Sequence, residues 1–442
     1  MSDAQPRTGP ARRHGALVAV VLACLGLLIV LAATILLAAH GFWRPALARP
    51  GDAPGFLAAV QQRFLADHRG NAAIVLLQDG EVAAELYFSA DPRERIHRDS
   101  LFQVASLSKW ISAWGVLRLA DRGLIDLDAP VDNDLKRWSL PQTGFDNGAV
   151  TARRLLSHTA GLDDDLGYDG FAQTAEVQPL PASLEHAADA MPGASGVVRV
   201  AWPPGSRWQY SGGGYSLLQL MIEDVTGRDF AGYMRDEVLR PLDMRNSGYD
   251  LLALADPDLA QHFDLDGKPA APRKFSALAA ASLYTSPADL VRFLQAHLPG
   301  PGGAPAGRGV LSAQSVQMLA RPHAREFGIP IWGLGVTIFG SDGAGGHVIG
   351  HDGVNLPAIN TTARLAPASG DAIIALTTGD LSLASRIGAR WNYWQSGRTD
   401  INTLSQHLPR QLLGAGIAWL ALVAAAVALG RMRLRRRHDA DH

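Results

Sequence analysis

Ser106 and Lys109 stand three residues apart in Leu101-Phe-Gln-Val-Ala-Ser-Leu-Ser-Lys-Trp-Ile-Ser-Ala, where an apolar helical pattern begins with Ile111, Trp114 and Leu117. Residues i and i+3 share a helix face, so the ammonium can reach the hydroxyl. At the helix start Ser106 also lies at the positive end of the dipole, which favours negative charge developing on its oxygen. A serine hydroxyl attacks poorly until a neighbour takes its proton, and a desolvated lysine with a lowered pKa can take it. The chain has four lysines (Lys109, Lys136, Lys268, Lys274) among forty basic residues, and this is its only Ser-x-x-Lys. A lysine kept against such a bias can do what arginine cannot, which is lose its proton near neutral pH. The plain alternative is a helix cap beside a solvated lysine.

Two further segments carry chemical groups. In Trp208-Gln-Tyr210-Ser-Gly212-Gly-Gly-Tyr-Ser-Leu, three glycines precede an amphipathic pattern of Leu217, Leu220, Met221 and Val225. Glycines there permit a tight turn and a close approach of backbone to ligand. Tyr210 would point its phenol into a cleft, and beside a lysine ammonium its pKa would fall, allowing it to relay protons. Packing is the alternative role for such a tyrosine. Gly350-His351-Asp352-Gly353-Val354 places a titratable ring next to uncovered backbone beside a predicted strand. His347 and His351 would share one side of that strand, but no third ligand has suitable spacing, so no metal is expected.

Other motifs are excluded. Asp163-Asp164-Asp165 lacks calcium-loop spacing and reads as a solvated turn. No Gly-x-Ser-x-Gly elbow occurs, no Gly-x-Gly-x-x-Gly follows a strand, and there is no phosphate loop, so no cofactor is expected. Cys24 is the only cysteine, which rules out an internal disulfide and a cysteine zinc site.

The elements that would position these groups follow from periodicity. Phe56–His68 has helical spacing. Ala73–Leu77 and Val82–Phe88 flank Asp79-Gly80, a hairpin signal. Residues from about 100 to 295 are mostly helical pattern broken by Gly and Pro. Strands return at Gly333–Phe339, Val348–His351, Ala358–Leu365 and Ala372–Thr378, followed by a helix over Leu381–Trp394. Strands at both ends with helices between them predict one sheet built from distant segments, an α+β sandwich with an inserted all-α lobe.

The chain has 442 residues, 47% of them hydrophobic and 19% charged, with a formal charge of −2. That is too apolar for a disordered chain and too balanced for a general nucleic-acid binder, so no nucleic-acid partner is expected. Ala16 to Ala39 and Leu412 to Gly430 carry no charge and are long enough to span a bilayer. Arg7, Arg12, Arg13 and His14 precede the first, and Arg431, Arg433, Arg435, Arg436 and Arg437 follow the second. The positive-inside rule then puts both termini in the cytoplasm and everything between on the other side. A signal peptide cut near Ala46-Leu47-Ala48 is the competing reading, but its apolar region would be unusually long. The expected organisation is a tail over 1–15, a span over 16–39, a Pro-rich tether over 40–55 and a catalytic domain over 56–395. A linker over 396–411, a span over 412–430 and a basic tail over 431–442 complete it.

In order, these segments resemble the serine β-lactamase and penicillin-binding-protein superfamily, specifically its class C branch of β-lactamases, D-aminopeptidases, D,D-peptidases and esterases. Phe102-Gln-Val-Ala-Ser106-Leu-Ser-Lys109 resembles the Ser-x-x-Lys box. Leu124-Ile-Asp-Leu-Asp128-Ala-Pro130-Val and Leu155-Leu-Ser-His158-Thr-Ala-Gly161-Leu are similar to family segments. Trp202-Pro-Pro-Gly205-Ser…Tyr210-Ser-Gly resembles the Tyr-x-Asn region, and Gly350-His351-Asp-Gly353 the final Lys-Thr-Gly box. The resemblance implies a β-lactamase-like antiparallel sheet flanked by helices.

It also implies roles. Ser106 would be the acylated nucleophile, Lys109 its partner and Tyr210 the base or proton shuttle. His351 would stand in the place of the box lysine. Backbone N–H groups of Ser106 and Val354 would form the oxyanion hole, with Gly353 and Gly212 lining the substrate. Gly212 replaces an asparagine that contacts the β-lactam side chain, and His351 replaces a fixed cation that holds the substrate carboxylate. The implied protein is a membrane-integral serine hydrolase acting on a small-molecule or peptide amide or ester, without metal or cofactor. A catalytically impaired penicillin-binding sensor with the same fold is the alternative.

Overall fold

The computed structural model describes residues 10–42, 45–163, 167–251, 254 and 257–440, so Asp164 and Asp165 lie outside the described residues. Two compact units divide the chain, Ala46–Ser396 and a terminal unit of Met1–Pro45 with Gly397–His442.

The larger unit is organised on an eight-stranded antiparallel sheet. Its strands are β1 Ala72–Gln78, β2 Glu81–Phe88, β3 Ala324–Glu326, β4 Ile329–Trp332, β5 Thr337–Ser341, β6 His347–Asn355, β7 Ile359–Ala366 and β8 Asp371–Thr378. Their spatial order is β2-β1-β8-β7-β6-β5-β4-β3. The first hairpin turns where expected: Asp79 and Gly80 both take positive φ (51° and 80°), the geometry of a tight two-residue turn. Strands β1, β7 and β8 are buried on both faces, which explains the near-continuous apolar runs of β1 and β8. Val75, Leu77, Ile349, Leu365 and Leu376 join one apolar cluster with the inserted lobe. Ile74, Leu76, Val348, Ile373 and Ala375 face the other way, onto Phe56, Leu57, Val60, Leu383, Ile387 and Trp391. Those side chains come from helices α2 (Ala53–Val60) and α5 (Leu383–Ser396).

Three expectations are corrected. The lobe between β2 and β3 is not all-α: Phe102–Gln103 pairs with Tyr284–Thr285, and His262–Phe263 with Pro269–Ala270. The strand expected over Gly333–Phe339 begins only at Thr337, as β5; residues 333–336 are the turn that joins β4 to it. Gly335 sits at φ 82°, and a Cβ there would stand 2.5 Å from that of Ala113. The tether is not free along its length either. Leu47 is buried in the second cluster, and Trp394 Nε1 donates to the Arg49 carbonyl at 2.8 Å.

The terminal unit consists of α1 (Pro10–Ala39) and α6 (Ile401–Ala440). Leu17–Ala39 and Ile401–Arg433 are each long and apolar enough to cross a membrane. The segment 396–411, expected as a linker, is helical from Ile401. Asp400 caps it, accepting from Thr403 N at 3.1 Å, and the helix carries Pro409 within it. The two helices touch. Trp419 Nε1 donates to the Ala23 carbonyl at 3.1 Å, and the Trp419 ring fills the space a side chain on Gly26 would need. Small residues that let helices approach closely are common at such contacts.

Candidate active site

Ser106 lies in a single 3₁₀ turn, Ala105–Leu107, and α3 (Ser108–Asp121) begins two residues later. The turn is strained and heavily braced. Ala105 takes φ 49°, a left-handed conformation that costs a non-glycine residue about 1–2 kcal/mol. Ser108 Oγ donates to the Ala105 carbonyl at 2.6 Å and accepts from Leu283 N at 3.0 Å. Val104 N donates to the Leu283 carbonyl at 2.9 Å, while Thr361 Oγ1 on β7 donates to the Val104 carbonyl at 2.8 Å. Helix α3 is locked by its indoles. Trp110 and Trp114 both donate to Nε2 of buried His297, at 3.1 and 3.2 Å, which fixes the rotation of the helix that carries Lys109.

Lys109 is 2% exposed. Its Nζ donates to Ser106 Oγ at 3.2 Å and to the Ala280 carbonyl at 2.9 Å. It also lies 5.0 Å from the ring centre of Tyr210 and 5.5 Å from that of Tyr215. The expected i, i+3 meeting of amine and hydroxyl is therefore present, with the 3₁₀ turn in place of a full helical start. The plain reading, a solvated lysine beside a cap, is overturned by this burial.

Tyr210 reaches the same point from far along the chain. Its hydroxyl is hydrogen-bonded with the Ser106 side chain. The residue as a whole is half-buried, with its hydroxyl at the enclosed end. Burial pushes its pKa up, and the Ser106 hydrogen bond offsets only part of this. The expected fall beside Lys109 is thus reversed: Tyr210 rests as a phenol. The glycines after it do not form a loop. They are the first turn of α4 (Gly212–Thr226), capped by Ser211 Oγ accepting from Gly214 N at 2.8 Å. Gly212 is buried there and offers no side chain.

His351 and Gly353 share one face of β6. The pairing of β6 with β5 ends at Gly350↔Thr337, so from His351 onward that edge is released from β5. Gly353 packs on the Ser106 turn, and a Cβ would stand 3.2 Å from Leu107 N and 2.4 Å from Thr361 Oγ1. Val354 follows it, 45% exposed. His351 is 3% exposed. Its Nδ1 lies 2.6 Å from the Asp352 carbonyl, which can only accept, so the proton sits on Nδ1 and Nε2 keeps a bare lone pair. Burial, helped by the Lys109 charge, pushes its pKa down to about 3, so the ring is neutral. Nε2 is buried without a partner among the described residues.

Sequence reasoning gave no role to several residues that complete the cleft. Trp332 on β4 stands 5.8 Å from Tyr210 and 5.3 Å from His351, ring centre to ring centre. Trp208 packs on Trp332 at 5.6 Å, and His158 stacks on Tyr210 at 4.4 Å. His158 was visible only as part of a family-like segment, and nothing about Trp332 in the sequence marks it. Among the described residues no group of three or more His, Cys, Asp or Glu could hold a metal ion.

Residues 57–398 match the family model described as Beta-lactamase, which is most of the chain. The chain belongs to the β-lactamase family, in the superfamily of serine β-lactamases and penicillin-binding proteins. It is 28% identical to Penicillin-binding protein 4 of Amycolatopsis lactamdurans over 348 residues, 73% of this chain and 85% of that one. It is 29% identical to Esterase EstB of Burkholderia gladioli over 266 residues, 57% of this chain and 64% of that one. Among solved structures, the octameric penicillin-binding protein homologue from Pyrococcus abyssi superposes with a TM-score of 0.61 at 22% identity, covering 78% of this chain and 76% of that one. At that identity the likeness is one of fold. The β-lactamase-like α+β fold and membership of a family of serine hydrolases are therefore established for this chain.

Proposed function

We propose that this protein is a membrane-anchored, extracytoplasmic serine hydrolase that works through an acyl-enzyme on amide or ester carbonyls, D-amino-acid peptides of the cell wall among them. The observation that carries the reading is the convergence on Ser106 Oγ of Lys109 Nζ at 3.2 Å and the Tyr210 hydroxyl. Lys109, reacting as the neutral amine, takes up the proton that Ser106 Oγ releases through the Tyr210 hydroxyl as Oγ attacks the carbonyl carbon. Tyr210, resting as a phenol, relays that proton to Lys109 rather than starting as the base, and then passes it back from Lys109 to the leaving amine or alcohol. Backbone N–H groups of Ser106 and Val354 steady the oxyanion. Water then attacks the ester carbonyl, its proton returning through Tyr210, and Ser106 is freed.

His351 and Gly212 shape the choice of substrate. A neutral imidazole with a bare Nε2 offers an acceptor where a carboxylate-bearing substrate would need a cation. Glycine at 212 offers no amide to a penicillin side chain. Both favour uncharged esters or substrates with N–H donors over β-lactams. Anchoring is supported by the two apolar helices, and an orientation with both termini in the cytoplasm by the arginines outside them under the positive-inside rule.

The test is a substrate panel of D-alanyl peptides, short-chain esters and a chromogenic cephalosporin on the full chain in detergent, beside Ser106→Ala. Turnover of an ester or peptide that vanishes in Ser106→Ala is the expected result. Equal turnover by both proteins would overturn the reading. Acylation with no turnover would identify a penicillin-binding sensor instead.

A further inference from the structure

His158 does more than fill space beside the site. It sits at φ 56°, just past the short helix Ala152–Leu156, and is 2% exposed. Its backbone carbonyl accepts from Gln209 N at 2.8 Å, and its side-chain Nδ1 accepts from Ser211 N at 3.1 Å. One residue thus grips the chain immediately before and immediately after Tyr210. Its ring also lies against the Tyr210 ring, centre to centre 4.4 Å and inclined by 38°. Trp332 at 4.8 Å and Tyr215 at 5.4 Å also pack on the imidazole and hold it in place.

Because Nδ1 accepts from a backbone N–H, it carries no proton, and the neutral ring must bear its hydrogen on Nε2. The charged and titratable groups around it keep it neutral. Burial, then Lys109 on α3, then His351 on β6 hold its pKa well below the ordinary histidine value.

We propose that His158 is a positioning residue for acyl transfer: by bonding both flanking amides and stacking on the ring, it holds the Tyr210 hydroxyl on Ser106 Oγ. This rests on the reading of Tyr210 as proton relay. A rigid support of this kind matters because misplacing a reacting group by about 1 Å can cost on the order of 10²-fold in rate.

Two variants separate the hydrogen bond from the bulk. His158→Asn keeps an acceptor at the Nδ1 position, and asparagine tolerates the left-handed backbone. His158→Phe keeps a ring against Tyr210 but leaves the Ser211 N–H without its acceptor. Each is assayed as the full chain in detergent on an ester that the wild type turns over, with Ser106→Ala as background and thermal unfolding as a fold control. The expected outcome is that His158→Asn keeps kcat within about threefold, while His158→Phe loses at least about tenfold in kcat with KM within about twofold. His158→Phe matching the wild type would overturn the proposal. So would loss of activity in both variants, or loss that only tracks a fall in unfolding temperature. Should His158→Phe not fold, the tautomer decides: a histidine ¹⁵N–¹H spectrum of the wild type should show Nε2–H for His158, and Nδ1–H would overturn the proposal. Wild-type activity in Ser106→Ala would instead sink the acyl-enzyme reading itself.

Discussion

Gly353 and Val104 lie so close that a Cβ on Gly353 would stand 2.2 Å from the Val104 carbonyl oxygen. The same oxygen accepts from Thr361 Oγ1, so it cannot swing aside without breaking that bond. Strand β6 therefore presses directly on the turn that carries Ser106, and glycine is what lets it.

Gly353→Ala should push β6 and the Ser106 turn apart. Overpacking against backbone costs about 2–3 kcal/mol, and the displaced turn should lower kcat by at least about tenfold. Steady-state kinetics with denaturant unfolding check this. A variant as active and stable as the parent would show that the contact relaxes freely.

Lys109→Arg keeps a positive charge but cannot exchange a proton near neutral pH. Acylation by an ester should fall by about 10³-fold, within the usual range for a lost proton-transfer group. Single-turnover kinetics measure it directly. A fall of less than about threefold would show that Lys109 contributes charge alone and that Tyr210 manages the proton.

Arg364 is 1% exposed, with Nη2 3.3 Å from the Asp352 carboxylate and its guanidinium 3.7 Å from the Phe339 ring centre. Asp352→Ala would strand a buried cation on the face of β6 opposite His351. The expected loss is about 3 kcal/mol. Replacing both groups, Asp352→Ala with Arg364→Met, should recover much of it, as a denaturant double-mutant cycle would read. Equal stability of Asp352→Ala and the parent would refute the pairing.

Acid should destabilise the larger unit. Burial holds His158 well below its ordinary pKa, His262 and His297 down at about 4, and His351 at about 3. In the unfolded chain these rings take protons near pH 6.5, so the unfolded state binds more protons from there downward and stability falls with pH. Asp189 and Asp289, raised by burial to about 6, act in the opposite sense, because their folded forms take protons first. Four histidines outweigh two acids. The unfolding temperature should drop steadily from pH 7 to pH 4.5, and a flat profile would contradict the neutral burial of these rings.

How much of this could be read from sequence divides along physical lines. The hairpin at Asp79-Gly80, the runs of β6 to β8 and the meeting of Ser106 with Lys109 were legible because each depends on local spacing. Strands β3 and β4 were not, being three and four residues long around Phe327-Gly328 and Pro330; they exist only because neighbouring strands pair with them. The rise of the Tyr210 pKa is hidden from local sequence for the same reason. A lysine beside the phenol suggests a fall, but burial dominates, and the walls that enclose Tyr210 include His158 and Trp332 from distant segments as well as its neighbour Trp208. Likewise the glycine run after Tyr210 looks like a loop in sequence and becomes a helix start, since Ser211 caps it and its amides find helical partners.

Ser108 offers the sharpest internal control, for it lies two residues from Ser106 yet is fully buried, its hydroxyl committed to Ala105 and Leu283. The full chain is treated with a fluorophosphonate, digested and mapped by tandem mass spectrometry. A single adduct on Ser106, absent in Lys109→Arg at short times, is the predicted result. An adduct on another residue, or equal labelling of Ser106→Ala, would contradict the proposal that Ser106 is the nucleophile.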